Sequence, residues 1–175
     1  TVKQNNPSRT KEDQEDLAKA IGIGAVKYMD LSQNPQSLVT FTWEKALNME
    51  GNSAPYLQYA YARISSVIDK YSDQFGIELL DKVSITLEEP IERKIALKIC
   101  RFESAVTSAA MYYKPNILAD YLYELSQLYS SFYQNVPFLK AQPGTRESRI
   151  RICRLTANIL KQGLHLLGIE TRERI

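Results

Sequence analysis

The 175-residue chain has one histidine, two cysteines and seven glycines, and each scarcity removes a class of function. Ser-His-Asp triads, zinc sites and most acid-base schemes draw on histidine. His165 stands alone in Gly163-Leu164-His165-Leu166-Leu167, near a helix end where a cation or a cap is favoured, so its expected role is structural. Cys100 and Cys153 both fall inside apolar helical patterns and are expected as buried, reduced thiols. A metal site would need more ligands. No apolar run reaches the roughly 20 residues that span a bilayer, and the opening TVKQNNPSRTKEDQEDL is polar rather than signal-like. The expectation is a cytoplasmic chain with no membrane partner. Catalytic signatures are missing too: there is no G-x-x-x-x-G-K-[ST], and Ile21 to Val26 lacks the G-x-G-x-x-G spacing after a strand.

What is present is helical. Apolar residues recur at three- and four-residue steps almost throughout, without convincing period-two runs, so the expected fold is an all-α helical bundle. The length suits one core. Helices are expected from Lys11 to Leu31, briefly around Trp43, from Pro55 to about Asp73, from Ile91 to about Tyr112, from Ile117 to about Asn135 with Asn116 as N-cap, and from Arg146 to Leu167 with Gly168 capping. Inner faces are Ile91, Ile95, Ile99, Phe102, Val106 and Ala109; Leu118, Leu122, Leu125, Tyr129 and Phe132; and Ile150, Cys153, Ala157, Leu160, Leu164 and Leu167. Residues 1–40 have few large apolar anchors and read as the tail of a preceding domain, with 41–175 as a helical domain of their own.

Charge is unevenly spread. Net charge is +2, but Lys140 to Ile175 carries eight basic residues against three acidic ones, a balance of +5 that leaves −3 for the rest. Such an end fits an anion-binding face, or equally a solvated helix face.

Two aromatic stretches add to this. In NMEGNSAPYLQYAYAR, Asn48 to Arg63, a glycine turn precedes a helix on which Tyr56, Tyr59 and Arg63 share one face beside the apolar stripe Leu57, Ala60, Ile64 and Val67. In Tyr129 to Phe138 a helix ends in rings, and Tyr133 is placed to approach the basic last helix if the helices are antiparallel. Rings beside arginine suit stacking of unpaired bases with phosphate neutralisation. The same residues can also rim a core with hydroxyls in water, or dock a partner helix as a protein-interaction module, since Tyr and Arg are enriched at protein interfaces.

Phe41-Thr42-Trp43 followed by Met49 to Ala60 and Arg63 closely resembles the F-x-W…F-E-G-N-T-x-P-Y-L-Q-Y-A-x-x-R segment of arginyl-tRNA synthetases. Gly22 to Tyr28, Ser131-Phe132-Tyr133, Ser148-Arg149-Ile150, Gly163 to Ile169 and the closing Glu173-Arg174-Ile175 resemble that family in the same order, over essentially the whole chain. The resemblance implies a C-terminal, DALR-type anticodon-binding domain of a class I synthetase. It implies arginine tRNA, through its anticodon stem-loop, as partner beside the protein's own catalytic domain, with no DNA. ATP would be the full-length enzyme's substrate, with no cofactor in this fragment, which lacks H-x-G-H and K-M-S-K-S and is expected to be inactive alone. Carried over by position, the anticodon-loop contacts fall on Tyr59, Arg63, Tyr133 and the last residue, Ile175. The family often has His at the Tyr61 position and Met at the chain end; Ile175 would keep the terminal contact as apolar packing against a base.

Overall fold

The computed structural model describes residues 10–78 and 80–175, and among these the chain forms seven α-helices and no strand. The polar stretch at positions 1–9, and with it the start of the 1–40 segment, lies outside the described residues. In chain order the helices are α1 (Lys11–Leu31), α2 (Trp43–Ala46), α3 (Ala54–Phe75), α4 (Pro90–Cys100), α5 (Phe102–Met111), α6 (Pro115–Asn135) and α7 (Thr145–Leu166), with a 3-10 turn at Leu80–Lys82 before α4.

The starts of the first three follow from side-chain oxygens that satisfy orphan N–H groups. Thr10 accepts from the Asp13 N–H at 3.2 Å, Thr42 from Lys45 at 3.3 Å and Ser53 from Tyr56 at 3.3 Å. Pro55 sits in the first turn of α3, where its missing N–H costs nothing. At the far end of α7, Gly168 takes φ +69°; its N–H donates to the His165 carbonyl at 2.8 Å and that of Ile169 to the Leu164 carbonyl at 2.9 Å. This is the six-to-one, five-to-two pattern that only a left-handed residue allows.

The core lies where α3, α6 and α7 meet, with α4 closing one side. Leu57, Ile64, Ile95, Leu122, Leu125, Phe132, Ile150 and Leu160 are fully buried, each contributing about 1.5–3 kcal/mol. α1 joins this core through Tyr28, whose hydroxyl lies 2.6 Å from Asn52 Oδ1 and 3.1 Å from the Ala119 carbonyl. One side chain therefore ties the Gly-Asn-Ser turn, α1 and α6 together.

Three expectations are corrected. The single helix expected from Ile91 to Tyr112 is broken at Arg101: the Tyr121 hydroxyl donates to the Lys98 carbonyl at 2.7 Å, and the Arg101 N–H closes a tighter bond on the same oxygen at 3.0 Å. A side chain inserted into the hydrogen-bond ladder interrupts a helix. Of the stripe expected there, Ile95 is fully buried and the others only partly. Second, the N-cap of α6 is Lys114, not Asn116, because Pro115 with its preset φ takes the first helical position. Third, Cys153 is buried as expected, but Cys100, at the last residue of α4, is exposed.

Candidate nucleic-acid interface

α3 distributes its tyrosines by angle, about 100° per residue. Tyr61 is buried, while Tyr56 is half-buried, edge-on to Tyr123 at 5.6 Å, with its hydroxyl 3.3 Å from Ser130 Oγ. Both hold helices together. Tyr59, by contrast, is 39% exposed, and one turn on, Arg63 lays its guanidinium over that ring with Cζ 4.8 Å from the centroid.

The second ring comes from the end of α6. Tyr133 is likewise 39% exposed, and Arg63 Cζ is 5.2 Å from its centroid. The sequence placed Tyr133 towards the last helix; the fold delivers it to α3 instead. Behind it, Tyr129 at 6.2 Å and Phe138 at 6.0 Å brace the ring, and both are buried. Burial first, and then the neighbouring Cys153, push the Tyr129 hydroxyl's pKa upward, so it stays neutral. Three of the four expected site residues thus form one stack of guanidinium between two half-exposed rings. A cation over an aromatic face contributes about 0.5–2 kcal/mol and fixes the orientation of both.

Beside this stack lies an open groove of about 540 Å³, lined by Val67 and Lys70 of α3, by Tyr133, and by the loop from Val136 to Lys140. Lys70 and Lys140 escaped the sequence reading as members of the site. The signal available was the i+7 spacing of Lys70 from Arg63, which returns it to the same face. Ile175, the fourth expected residue, stays outside the stack. It is half-buried, next to Arg174, whose guanidinium pairs at 3.8 Å with Asp69 on a neighbouring arc of α3.

The basic C-terminal fifth is largely used inside the fold. Arg149 is buried, donating from Nε to Glu92 at 2.7 Å and from Nη1 to the Pro137 carbonyl at 2.9 Å. Arg146 pairs with Glu147 at 2.8 Å and covers the Phe75 ring at 3.7 Å. Arg151 donates to the Val83 carbonyl and Arg172 pairs with Glu170 at 2.8 Å. Burial alone would raise the Glu147 carboxyl, but hydrogen bonds from Arg146 and the Gly144 N–H outweigh it and hold the pKa below the usual range. Arg63 differs from Arg146, Arg149 and Arg172: among the described residues no carboxylate lies within ion-pair reach of it, only rings. Nor, among the described residues, do any three His, Cys, Asp or Glu side chains gather as metal ligands, nor is any helix long and apolar enough to cross a membrane.

Residues 57–175 match the model of the DALR anticodon binding domain. The arginine–tRNA ligase of Proteus mirabilis is 42% identical over 175 residues, covering 99% of this chain and 30% of the relative, and that of Colwellia psychrerythraea 44% identical over 176 residues, covering 99% and 29%. Among solved structures, Thermus thermophilus arginyl-tRNA synthetase superimposes with a TM-score of 0.87 at 31% identity, over 99% of this chain and 29% of that one. The Plasmodium falciparum enzyme gives 0.81 at 27% identity, over 93% and 28%. The chain spans about three tenths of the length of these relatives. All-helical, and matched by that model over most of its length, the chain belongs to the DALR anticodon binding domain family, in the form carried by arginyl-tRNA synthetases.

Proposed function

We propose that this chain binds the anticodon loop of arginine tRNA, as part of an arginine–tRNA ligase that in full length uses ATP to attach arginine to that tRNA. The observation that carries the reading is the Tyr59–Arg63–Tyr133 stack: two half-exposed rings around a cation that has no carboxylate partner among the described residues. Tyr59 and Tyr133 would each take an unstacked base, Arg63 a phosphate or base edge, and Ile175 an apolar contact with a base at the end of the tail. Lys70 and Lys140 along the groove extend the positive track on which a loop backbone would lie. Selectivity would rest on the splayed bases, chiefly the middle cytosine of arginine anticodons.

Residues 1–40 belong in this reading to the connection with the catalytic domain, and 41–175 to the anticodon module. An exposed apolar face supports a second contact. Ile23 and Val26 of α1 and Trp43 of α2 line a groove of about 420 Å³ with almost wholly apolar walls, and Phe41 meets Trp43 edge-on at 5.0 Å. We assign that face to the rest of the full-length protein. The groove beside the tyrosine face has polar as well as apolar walls, which suits a nucleic-acid backbone better than an apolar partner helix.

The deciding experiment titrates the chain with an arginine anticodon hairpin at two salt concentrations, beside a hairpin whose middle cytosine is replaced. Tighter binding of the cytosine hairpin, weakening steeply with salt, is the expected result. Equal binding of both hairpins, or binding insensitive to salt, would overturn the reading.

A further inference from the structure

After Gly168 the chain leaves α7 and runs outside any helix to Ile175. Nothing in its sequence demands that path, since Glu170, Arg172, Glu173 and Arg174 are all side chains at home in water. Three groups nonetheless tie it down. Lys27 of α1 donates to the Gly168 carbonyl at 2.6 Å, Arg174 pairs with Asp69 at 3.8 Å, and between them Gln58 of α3, only 1% exposed, donates from Nε2 to the Glu170 carbonyl at 2.7 Å.

Gln58 is the unusual member. The same Nε2 also lies 3.3 Å from the Ala20 carbonyl of α1, so one buried amide joins α1, α3 and the tail. With two carbonyl oxygens facing the group, its orientation is forced: the nitrogen, not the oxygen, must point at them. The packing opposite is close. A Cβ on Gly24 would come within 3.1 Å of both Gln58 Nε2 and Ile169 Cγ2. Gln58 and Asp69 are eleven residues apart, three turns along one face of α3 and about 16 Å on its axis. Four extended residues from Glu170 to Arg174 cover about 13 Å, and the arginine side chain supplies the remainder. The tail is therefore laid parallel to α3, along the face that carries Gln58 and Asp69, about 100° round the helix from Tyr59 and Lys70.

We infer that Gln58 is a positioning residue for RNA binding: it straps the C-terminal tail along α3 and so fixes where Ile175 ends beside that helix. This rests on the anticodon reading above, yet the strap itself can be tested without RNA. Trypsin cuts after arginine, and Arg172 and Arg174 lie within the strapped segment. In the full chain, Gln58→Met, which keeps the volume and removes the donors, should speed cleavage at these two sites about tenfold, the effect of losing a buried hydrogen bond, with helical content unchanged. Gly24→Ala should do the same by displacing Gln58 and Ile169, although alanine is the better helix former; weakened helix cannot then explain the result. Unchanged cleavage in both variants would overturn the inference whatever the RNA data say.

The RNA arm is a double-mutant cycle on hairpin binding. Gln58→Met should weaken binding, and its loss should vanish in an Ile175→Ala background while persisting beside Tyr133→Ala. Losses that add fully with Ile175→Ala would overturn the positioning role even if the tail is freed. Failure of the anticodon reading shows itself separately, as binding indifferent to Tyr133→Ala and to the middle cytosine, while the cleavage rates still report on the strap.

Discussion

Replacing Arg149 tests whether this buried guanidinium holds the scaffold together or meets an anion. The sequence counts it in a basic end that could face an anion; the fold buries it against Glu92, itself 1% exposed. Glu92 is committed on both oxygens. Oε1 accepts from Arg149 at 2.7 Å, while Oε2 accepts from the N–H groups of Glu88 at 2.6 Å and Glu89 at 3.0 Å, closing the first turn of α4. Arg149→Met keeps most of the packing but leaves a buried carboxylate without its cation and the Pro137 carbonyl without its donor. Removing one partner of a buried pair costs about 3–5 kcal/mol, a third or more of a typical domain's stability. With a urea slope of about 2 kcal/mol per molar, the unfolding midpoint should fall by roughly 2 M with unchanged slope. Glu92→Met in addition should recover part of this by removing the stranded charge, but only part, because the Glu88 and Glu89 N–H groups lose their acceptor. At a temperature where Arg149→Met stays folded, the salt dependence of hairpin binding should match wild type. A variant as stable as wild type, or one with a shallower salt slope, would refute the assignment of Arg149 to the scaffold.

Other outcomes follow from the same geometry. Tyr133→Ala should weaken hairpin binding by about 1–3 kcal/mol without loss of fold, and Arg63→Met should reduce the salt slope by about one phosphate contact, both measurable by titration. Gly22→Ala, where a Cβ meets nothing within 4 Å, should stabilise by up to about 1 kcal/mol, whereas at Gly163 a Cβ would sit 2.5 Å from Leu122 Cδ2 in the core, so Gly163→Ala should lower the melting temperature. A thiol reagent should modify one cysteine, Cys100, in the folded chain; Cys153, whose burial pushes its thiol up to about 12, should react only on unfolding. The depressed Glu147 carboxyl stabilises the fold above its unfolded pKa, so this contribution is lost as pH falls through the folded value; Glu147→Gln should flatten urea midpoints measured downward from about pH 5.

Much of the bundle was legible because burial imposes a period. The seams Leu118 to Phe132 and Ile150 to Leu167 are entirely buried, as their spacing required. The break at Arg101 was not legible: it depends on a hydroxyl arriving from Tyr121, twenty residues on. The exposure of Cys100 escaped for a related reason, because it ends α4 at that break. In the site, Tyr59 and Arg63 were readable from one helical face, whereas bringing Tyr133 to Arg63 needed the packing of α6 on α3.

By itself the sequence determined which residues are apolar at helical spacing, where caps and prolines start helices, and which motifs the chain shares with its relatives, since all of these are local or comparative properties. Tertiary structure alone decided how the arginines divide. The same side chain serves the scaffold at Arg149, where Glu92 of another helix reaches it, and is left over rings at Arg63, where among the described residues no carboxylate does.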